Sequence, residues 1–443
     1  MSARTRLLTL VIAGVAVVAA VAIVLSLTLF RPKEAPKPDP VAATVPVSLA
    51  ADGVPEDLSL GVVLTFGQAG ESGYNRAAQG AVVAAQRFAQ GGAEVNLESR
   101  NDRGTEDGAR AAVKELAEAG VSGIIVASSG QQADAAAKAA GELGLPAILP
   151  YAEPSEPAAS TWTTKPSGAS ADAALRAVLD GKSRVLLVND GGPVPASIQP
   201  AGTLNFQDFE DVSALAQETA VRTGDQPIAA AENAETEAVR IAEPADAVIV
   251  SAATPQRLAM LVQALQARDV SVPMVLPDAA TAPAFAATLA EVDGTASGQM
   301  VTIAAAGGDG TALQQDAQGR GMSAFLSAVR LVSTDPEVKN LTGDGPFSAD
   351  AWAADSYSHD AVVALVRAAA LARSGEPADV AKTLRGMSFG AGEGLAGPAL
   401  DFSRSEAVSG KPIPVYATAQ DLGLRPADES APRLVWVPAP ATP

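Results

Sequence analysis

The chain contains no cysteine and a single histidine, His359, among 443 residues. The first absence excludes disulfides, thiolate catalysis and a lipid-modified cysteine at a mature amino terminus. With neither Cys pairs nor His pairs there is no zinc site, and one His inside a long helical segment argues against a His-dependent triad. No catalytic residue, metal or cofactor is expected. Aromatic residues are also scarce, at 4%: three Trp, four Tyr and ten Phe. Trp162, Trp352 and Trp436 read as core residues rather than ligand platforms. Positive charge is the third shortage, with 31 Lys and Arg against 50 Asp and Glu, a formal charge of −19. The first 40 residues carry five basic and two acidic side chains, so the remainder holds 26 and 48, or −22. So acidic a body repels phosphate backbones, which argues against nucleic acid as a partner, and its charge suits an exported, soluble domain.

The amino terminus is different in kind. Leu7–Phe30 runs for 24 residues without a charge, against the roughly 20 needed to cross a hydrocarbon core. It reads as an uncleaved transmembrane anchor. The rival, a cleaved signal peptide, has a shorter apolar region, and no Ala-x-Ala site directly follows Phe30. Arg4 and Arg6 precede the span while Arg31, Lys33 and Lys37 follow it, so charge alone does not set orientation. Residues 31–57, rich in Pro and Ala, form a stiff tether. The expected location is the cell membrane, single-pass, with the body on the extracytoplasmic side and 438–443 a short tail.

The body, 58–437, is long for one domain, since domains cluster near ~100–200 residues. Short apolar runs at Leu58–Leu64, Glu94–Ser99, Gly123–Val126 and Pro146–Leu149 alternate with Ala-rich helical segments such as Tyr74–Gln90 and Thr105–Ala119. Alternation of this kind predicts an α/β fold with a parallel sheet. A second unit follows, with strands at Arg184–Asn189, Ala247–Val250 and Pro273–Leu276 and an amphipathic helix over Thr254–Ala267. Helices are also predicted at Asp208–Ala220, Glu232–Ile241, Ser323–Ser333 and Ala351–Ser374, and the glycine-dense Gly386–Gly397 reads as a hinge. Two units imply two lobes, the first about 58–168 and 304–395, the second about 183–300 and 398–437, with a ligand cleft between them.

In an open parallel sheet the ligand crevice lies beyond the carboxyl ends of the strands. Those ends carry Thr65–Gly73, Ser128–Ser129–Gly130 and Tyr151–Ala152. Helix starts at Ser72–Gly73–Tyr74 and at Ser128–Gly130 present free N–H groups that attract a carboxylate. For Ser129, helix capping is the competing assignment.

On these residues the chain resembles the Leu/Ile/Val-binding protein family, the substrate-binding components of branched-chain amino-acid ABC transporters. The likeness runs through Leu60–Leu64, Gly73–Phe88, Asn101–Asp107, Ser128–Gly130 and Pro146–Ala152, and resumes over Ala245–Phe285. It extends to Ser358–Val362, which is similar to the family's Tyr-Asp-Ala-Val helix with His359 in the Tyr position, and to Gly394–Phe402. The resemblance implies a two-lobe type 1 periplasmic-binding fold that closes on a small polar ligand without a reaction and delivers it to ABC permease subunits. It implies that Ser128, Ser129, Tyr151 and Ala152 hold the ligand from the first lobe near Tyr74, and that Asp190 and Asp278 face it from the second. The chain departs from the family at Gly191–Pro195, which replaces an aromatic-Gly segment, and at Glu153 and Pro154, where small and hydroxyl residues are usual. A sensor or interaction module that has lost amino-acid binding is therefore the alternative. A third reading rests on Gly307–Thr311, which resembles the phosphate loop of NAD and diacylglycerol kinases.

Overall fold

A computed structural model describes residues 47–67, 73–228, 239–297, 299–428 and 430–439. The expected anchor Leu7–Phe30 and most of the tether lie outside these residues. Among the described residues no helix is long and apolar enough to cross a membrane.

The first lobe opens with β1 (Ser59–Leu64), α1 (Gly80–Gln90), β2 (Asn96–Asn101), α2 (Glu106–Glu118), β3 (Ile124–Val126), α3 (Gln131–Leu143), β4 (Ala147–Leu149) and β5 (Thr161–Thr163). These strands form one parallel sheet in the order β2-β1-β3-β4-β5. Its inner strands are apolar throughout rather than alternating, because helices cover both faces. Every residue of β3 and β4 is buried, and all of β1 after Ser59. α2 begins where Thr105 accepts a hydrogen bond from Gly108 N at 3.0 Å, with Glu106 and Asp107 facing the positive helix end.

The second lobe holds α4 (Gly168–Val178), β6 (Val185–Asp190), β7 (Gly202–Asn205), α5 (Val212–Arg222), β8 (Ala247–Ala252), α6 (Pro255–Gln266), β9 (Met274–Leu276), α7 (Pro283–Glu291) and β10 (Met300–Ala304). The chain then returns to the first lobe as α8 (Ala317–Val332), α9 (Ser356–Ala372), α10 (Pro377–Leu384) and the ribbon β11 (Ser388–Phe389) with β12 (Leu400–Asp401). It ends in the second lobe with β13 (Ile413–Thr418) and β14 (Val435–Pro438), added antiparallel to give the order β14-β13-β10-β9-β8-β6-β7. The two lobes therefore exchange chain at residues 164–167, 305–316 and 409–412. The segments leading into the first and last of these run side by side: Thr163 N donates to Ser405 O and Ala407 N to Thr163 O, each at 2.8 Å.

Three sequence expectations change. Residues 398–408 pack in the first lobe, not the second, because Leu400, Phe402, Ala407 and Val408 are buried in its core. Phe402 lies edge-on to Trp162 and Phe389, with ring centroids 5.9 Å apart in each pair, and Trp162 Nε1 donates to its carbonyl at 2.8 Å. The glycine-dense stretch is no hinge: Ala396 N and Gly397 N donate to the two oxygens of Asp360 at 2.8 and 2.7 Å, fastening it to α9 inside the first lobe. The helix read as starting at Ala351 begins only at Ser356, where Asp355 caps it by accepting from Ser358 N at 3.0 Å. The helix expected at Glu232–Ile241 falls largely outside the described residues.

His359 is structural. It is fully buried between Arg87 and Asp360, with Arg87 Nη1 2.8 Å from Nε2 and Asp360 Oδ1 2.7 Å from Nδ1. A guanidinium can only donate, so Nε2 accepts and Nδ1–H donates to the carboxylate. Burial holds the imidazole below its usual pKa and therefore neutral.

Candidate functional site

A cavity of about 660 Å³ lies between the lobes, within the range of small-molecule sites. Its first-lobe wall is built where α1 meets the turn before α9. Gly80 makes that approach possible: a methyl group there would overlap the carbonyl oxygen of Asp355. Asp355 N then donates to Ala77 O at 3.0 Å, and Ser358 Oγ lies 3.1 Å from the same oxygen. This contact joins residues some 280 positions apart and brings Asp355 beside the strand-end residue Tyr151. Tyr151 Oη donates to Asp355 Oδ1 at 2.9 Å, and its ring stacks on Tyr74 at 4.4 Å with planes 11° apart.

Three donors meet at Asp355 Oδ1: Tyr151 Oη, Ser358 N at 3.0 Å and Ser358 Oγ at 2.7 Å. Oδ2 takes none of these three bonds. Burial pushes this carboxyl up to about 6, opposed by the bonds from Ser358 and Tyr151 and by the charge of Arg425. Burial, reinforced by the carboxylates of Asp278 and Asp355, holds the Tyr74 phenol well above its usual range, and burial with Asp355 does the same for Tyr151 and Tyr357. All three are neutral phenols at physiological pH.

The opposing wall comes from the second lobe and the crossings. Lys165, on the first crossing, pairs with Asp278 at 2.6 Å. The connection between β13 and β14 reaches across to the first lobe, where Leu424 packs on the core. Beside it Arg425 grips Asp309 through two contacts, of 2.5 and 2.8 Å, and donates to Ala351 O and Ala354 O at 3.1 and 2.9 Å. This loop spans the cleft like a clasp.

Of the sequence-predicted residues, Tyr74, Tyr151 and Asp278 line the cavity, whereas Ser128, Ser129, Ala152 and Asp190 do not. Ser128 is fully buried and its hydroxyl has no partner among the described residues. Ser129 does not cap α3, whose N-cap position is Gly130 with no side-chain cap. Ala152 is buried among the α2 and α3 side chains, and its carbonyl accepts from Thr163 Oγ1 at 2.6 Å. Asp190 is neutralised by Arg257, which grips both its oxygens and stacks 5.6 Å over Phe206. The Gly191–Pro195 segment folds onto the end of β8, where Ser251 Oγ donates to Pro193 O at 2.6 Å. Glu153 accepts from Gly168 N at 2.9 Å, near the start of α4.

The sequence reading missed Asp355, Lys165, Tyr357, Trp352, Trp436 and Arg425. The placement of Trp352 and Trp436 also adjusts their assignment to the core: both line the cavity, Trp436 while packing on the second-lobe core, and only Trp162 of the three is a buried core residue. A local signal existed for Asp355, as an Asp three residues before Ser358 at a helix start, but it marks a cap and not a site. The Gly307–Thr311 loop, read as a possible phosphate cradle, packs against β14. A methyl on Gly307 would lie 2.9 Å from Pro438 Cδ and one on Gly310 3.3 Å from Val437 Cγ1. With Asp309 held by Arg425, the glycines serve close packing, and the kinase reading has no support from this geometry.

No protein-family model matches the chain, and no curated protein does. Solved structures do. The substrate-binding protein LivJ of a branched-chain amino acid transporter from Streptococcus pneumoniae, in complex with isoleucine, superposes with a TM-score of 0.59 at 15% identity, covering 86% of this chain and 99% of that one. The leucine-binding protein LivK from Thermotoga maritima gives 0.57 at 14% identity, covering 86% and 97%. A type 1 periplasmic binding protein from Bordetella pertussis gives 0.56 at 14%, covering 86% and 100%. The architecture is accordingly the two-lobe type 1 periplasmic-binding fold, and the structural neighbours are substrate-binding proteins of the LivJ and LivK type.

Proposed function

We propose that the chain is an extracytoplasmic solute-binding protein of an ABC-type transporter, taking a small polar ligand such as an amino acid or related metabolite between its lobes. The observation that carries this reading is the interlobe cavity, whose walls come from both lobes and all of whose phenols are neutral. Ligand bridging the walls would favour the closed arrangement over the open one, by differential affinity and without covalent chemistry. The permease is the expected partner. Leu7–Phe30 would anchor the body to the membrane, and the Pro-rich 31–57 would hold it clear of the surface.

Thermal melting of the dialysed protein against a broad panel of amino acids, amines, organic acids and sugars tests the reading. A ligand at 100 times its Kd stabilises by about 2.7 kcal/mol, which shifts the melting temperature by several degrees, and Tyr151→Ala removes the shift. A panel in which no compound moves the melting temperature overturns the proposal.

A further inference from the structure

The cleft gathers the chain's rarest side chains. Of its four Tyr and three Trp, Tyr74, Tyr151, Tyr357, Trp352 and Trp436 line the one cavity, leaving only Trp162 and Tyr416 elsewhere. The chain thus concentrates flat aromatic surface in a site otherwise lined by small apolar residues and a few charged ones.

The charge is unbalanced. The described lining residues include five carboxylates (Asp278, Asp309, Asp355, Asp421, Asp428) and three cations (Lys165, Arg425, Arg433), a formal −2. Lys165 cancels Asp278 and Arg425 cancels Asp309. Asp421 is turned to Gly423 N at 2.8 Å, and Asp428 to Ser430 N and Oγ at 2.8 and 2.6 Å, both within the exposed loop. Asp355 alone combines a half-buried setting with an oxygen that takes no part in the bonds from Tyr151 and Ser358. Its Oδ1 is saturated by three donors, which fixes the carboxylate plane and leaves Oδ2 as the acceptor for an incoming group.

Carboxylate recognition has no such provision. Ser128 and Ser129, at the strand end where an anion would be met, stand outside the cavity. Among the described lining residues, Arg433, on the exposed face of the β13–β14 connection, is the one cation outside the ion pairs. Anions are repelled by the net charge, and a zwitterion gains at one end what it loses at the other.

Resting on the solute-binding reading, we propose that the cleft selects an organic cation, an amine with a flat or apolar body and no carboxylate. Its ammonium donates to Oδ2 of Asp355, and its body lies against the Tyr74–Tyr151 stack and the neighbouring Tyr357, Trp352 and Trp436. Neutral tyrosine and tryptophan faces attract a cation as well as burying its carbon skeleton.

The test compares charge-matched probes on the full chain by calorimetry and Trp fluorescence: phenethylamine and tryptamine, phenylalanine and tryptophan, phenylacetate, and phenethyl alcohol. The amines should bind at least tenfold more tightly than the matching amino acids, with phenylacetate weakest. Asp355→Asn keeps an acceptor for Tyr151 and Ser358 and should weaken the amines about 10- to 100-fold, as expected for loss of one charge-assisted contact, while leaving phenethyl alcohol unchanged. The probe series on the unaltered protein needs no variant to fold. If the amino acids bind as well as the amines, or Asp355→Asn spares the amines, the cation assignment is overturned while the solute-binding reading stands. If no compound of any charge binds here or in the broad panel, both fall.

Discussion

The two walls of the cleft are made in different ways. The first-lobe wall is set by buried main-chain contacts: Gly80 lets α1 meet the turn before α9, Asp355 N bonds to Ala77 O, and Tyr151 leaves a strand end to reach Asp355. The second wall is fastened by side-chain ion pairs, Lys165 with Asp278 and Arg425 with Asp309, on crossings and on a long loop. Main-chain packing is bistable at most and costs several kcal/mol to disturb, whereas partly exposed ion pairs are worth about 0–1 kcal/mol and exchange readily. On the proposed reading the first wall would recognise the ligand and the second would move. A clamp needs that asymmetry, since a hinge between two equally rigid walls would not close and one between two soft walls would not discriminate.

The comparison breaks most severely at the support of the first wall. Asp360 joins three elements: it accepts from His359, whose other nitrogen meets Arg87 on α1, and from the amides of Ala396 and Gly397. Asp360→Ala strips the acceptor from the His359 Nδ1–H and the two amides and leaves Arg87 buried without the nearby carboxylate charge. Loss of about 3–5 kcal/mol is expected, read as a lowered urea midpoint. A change under 1 kcal/mol would show that the first wall does not depend on this network.

The middle effect is a dependence on pH. Because the folded protein holds Asp355 at about 6, against about 3.9 in an unfolded chain, the folded state binds the proton more tightly. Stability therefore falls as pH rises from about 4 to about 6, and the full cost of burying the charge is present above that window. The shift corresponds to roughly 3 kcal/mol. Asp355→Asn should remove this segment of the profile and stabilise the protein at pH 7.5, in urea unfolding followed from pH 4 to 8. Parallel profiles for the two proteins would place Asp355 in water rather than in the wall.

Much of the first lobe is legible along the chain, because β1, β3 and β4 are continuous apolar runs and some helices carry their own cap, as Thr105 does for α2. Tyr74 and Tyr151 are reachable by the same logic, as residues following strand ends. Asp355 is not, since its meeting with Tyr151 spans 204 positions and depends on a glycine in a third element. The second lobe hides its departures in the same way. Asp190 reads as a free cleft carboxylate until Arg257, 67 residues on, is folded against it, and β7 is a four-residue strand too short to leave a periodic signal. What sequence order conveys is which edge of a sheet can bind. Which charges remain uncancelled there is decided by pairs that only the tertiary fold creates.

The smallest stability effect bears most directly on the second wall. Arg425→Gln removes the two contacts to Asp309 and weakens those to Ala351 O and Ala354 O. Both ion-pair partners retain about a fifth of their side-chain exposure, 23% and 19%, so solvent already screens the pair, and a loss near 1 kcal/mol is expected. Such a loss scarcely moves an unfolding curve. It would still shift an open–closed ratio about fivefold, since 1.4 kcal/mol is a factor of ten. The clasp therefore predicts a larger radius of gyration for the ligand-free variant in small-angle scattering, at nearly unchanged melting temperature. An unchanged radius with a large drop in melting temperature would assign Arg425 to the rigid wall instead, and the two sides of the cleft would then be alike.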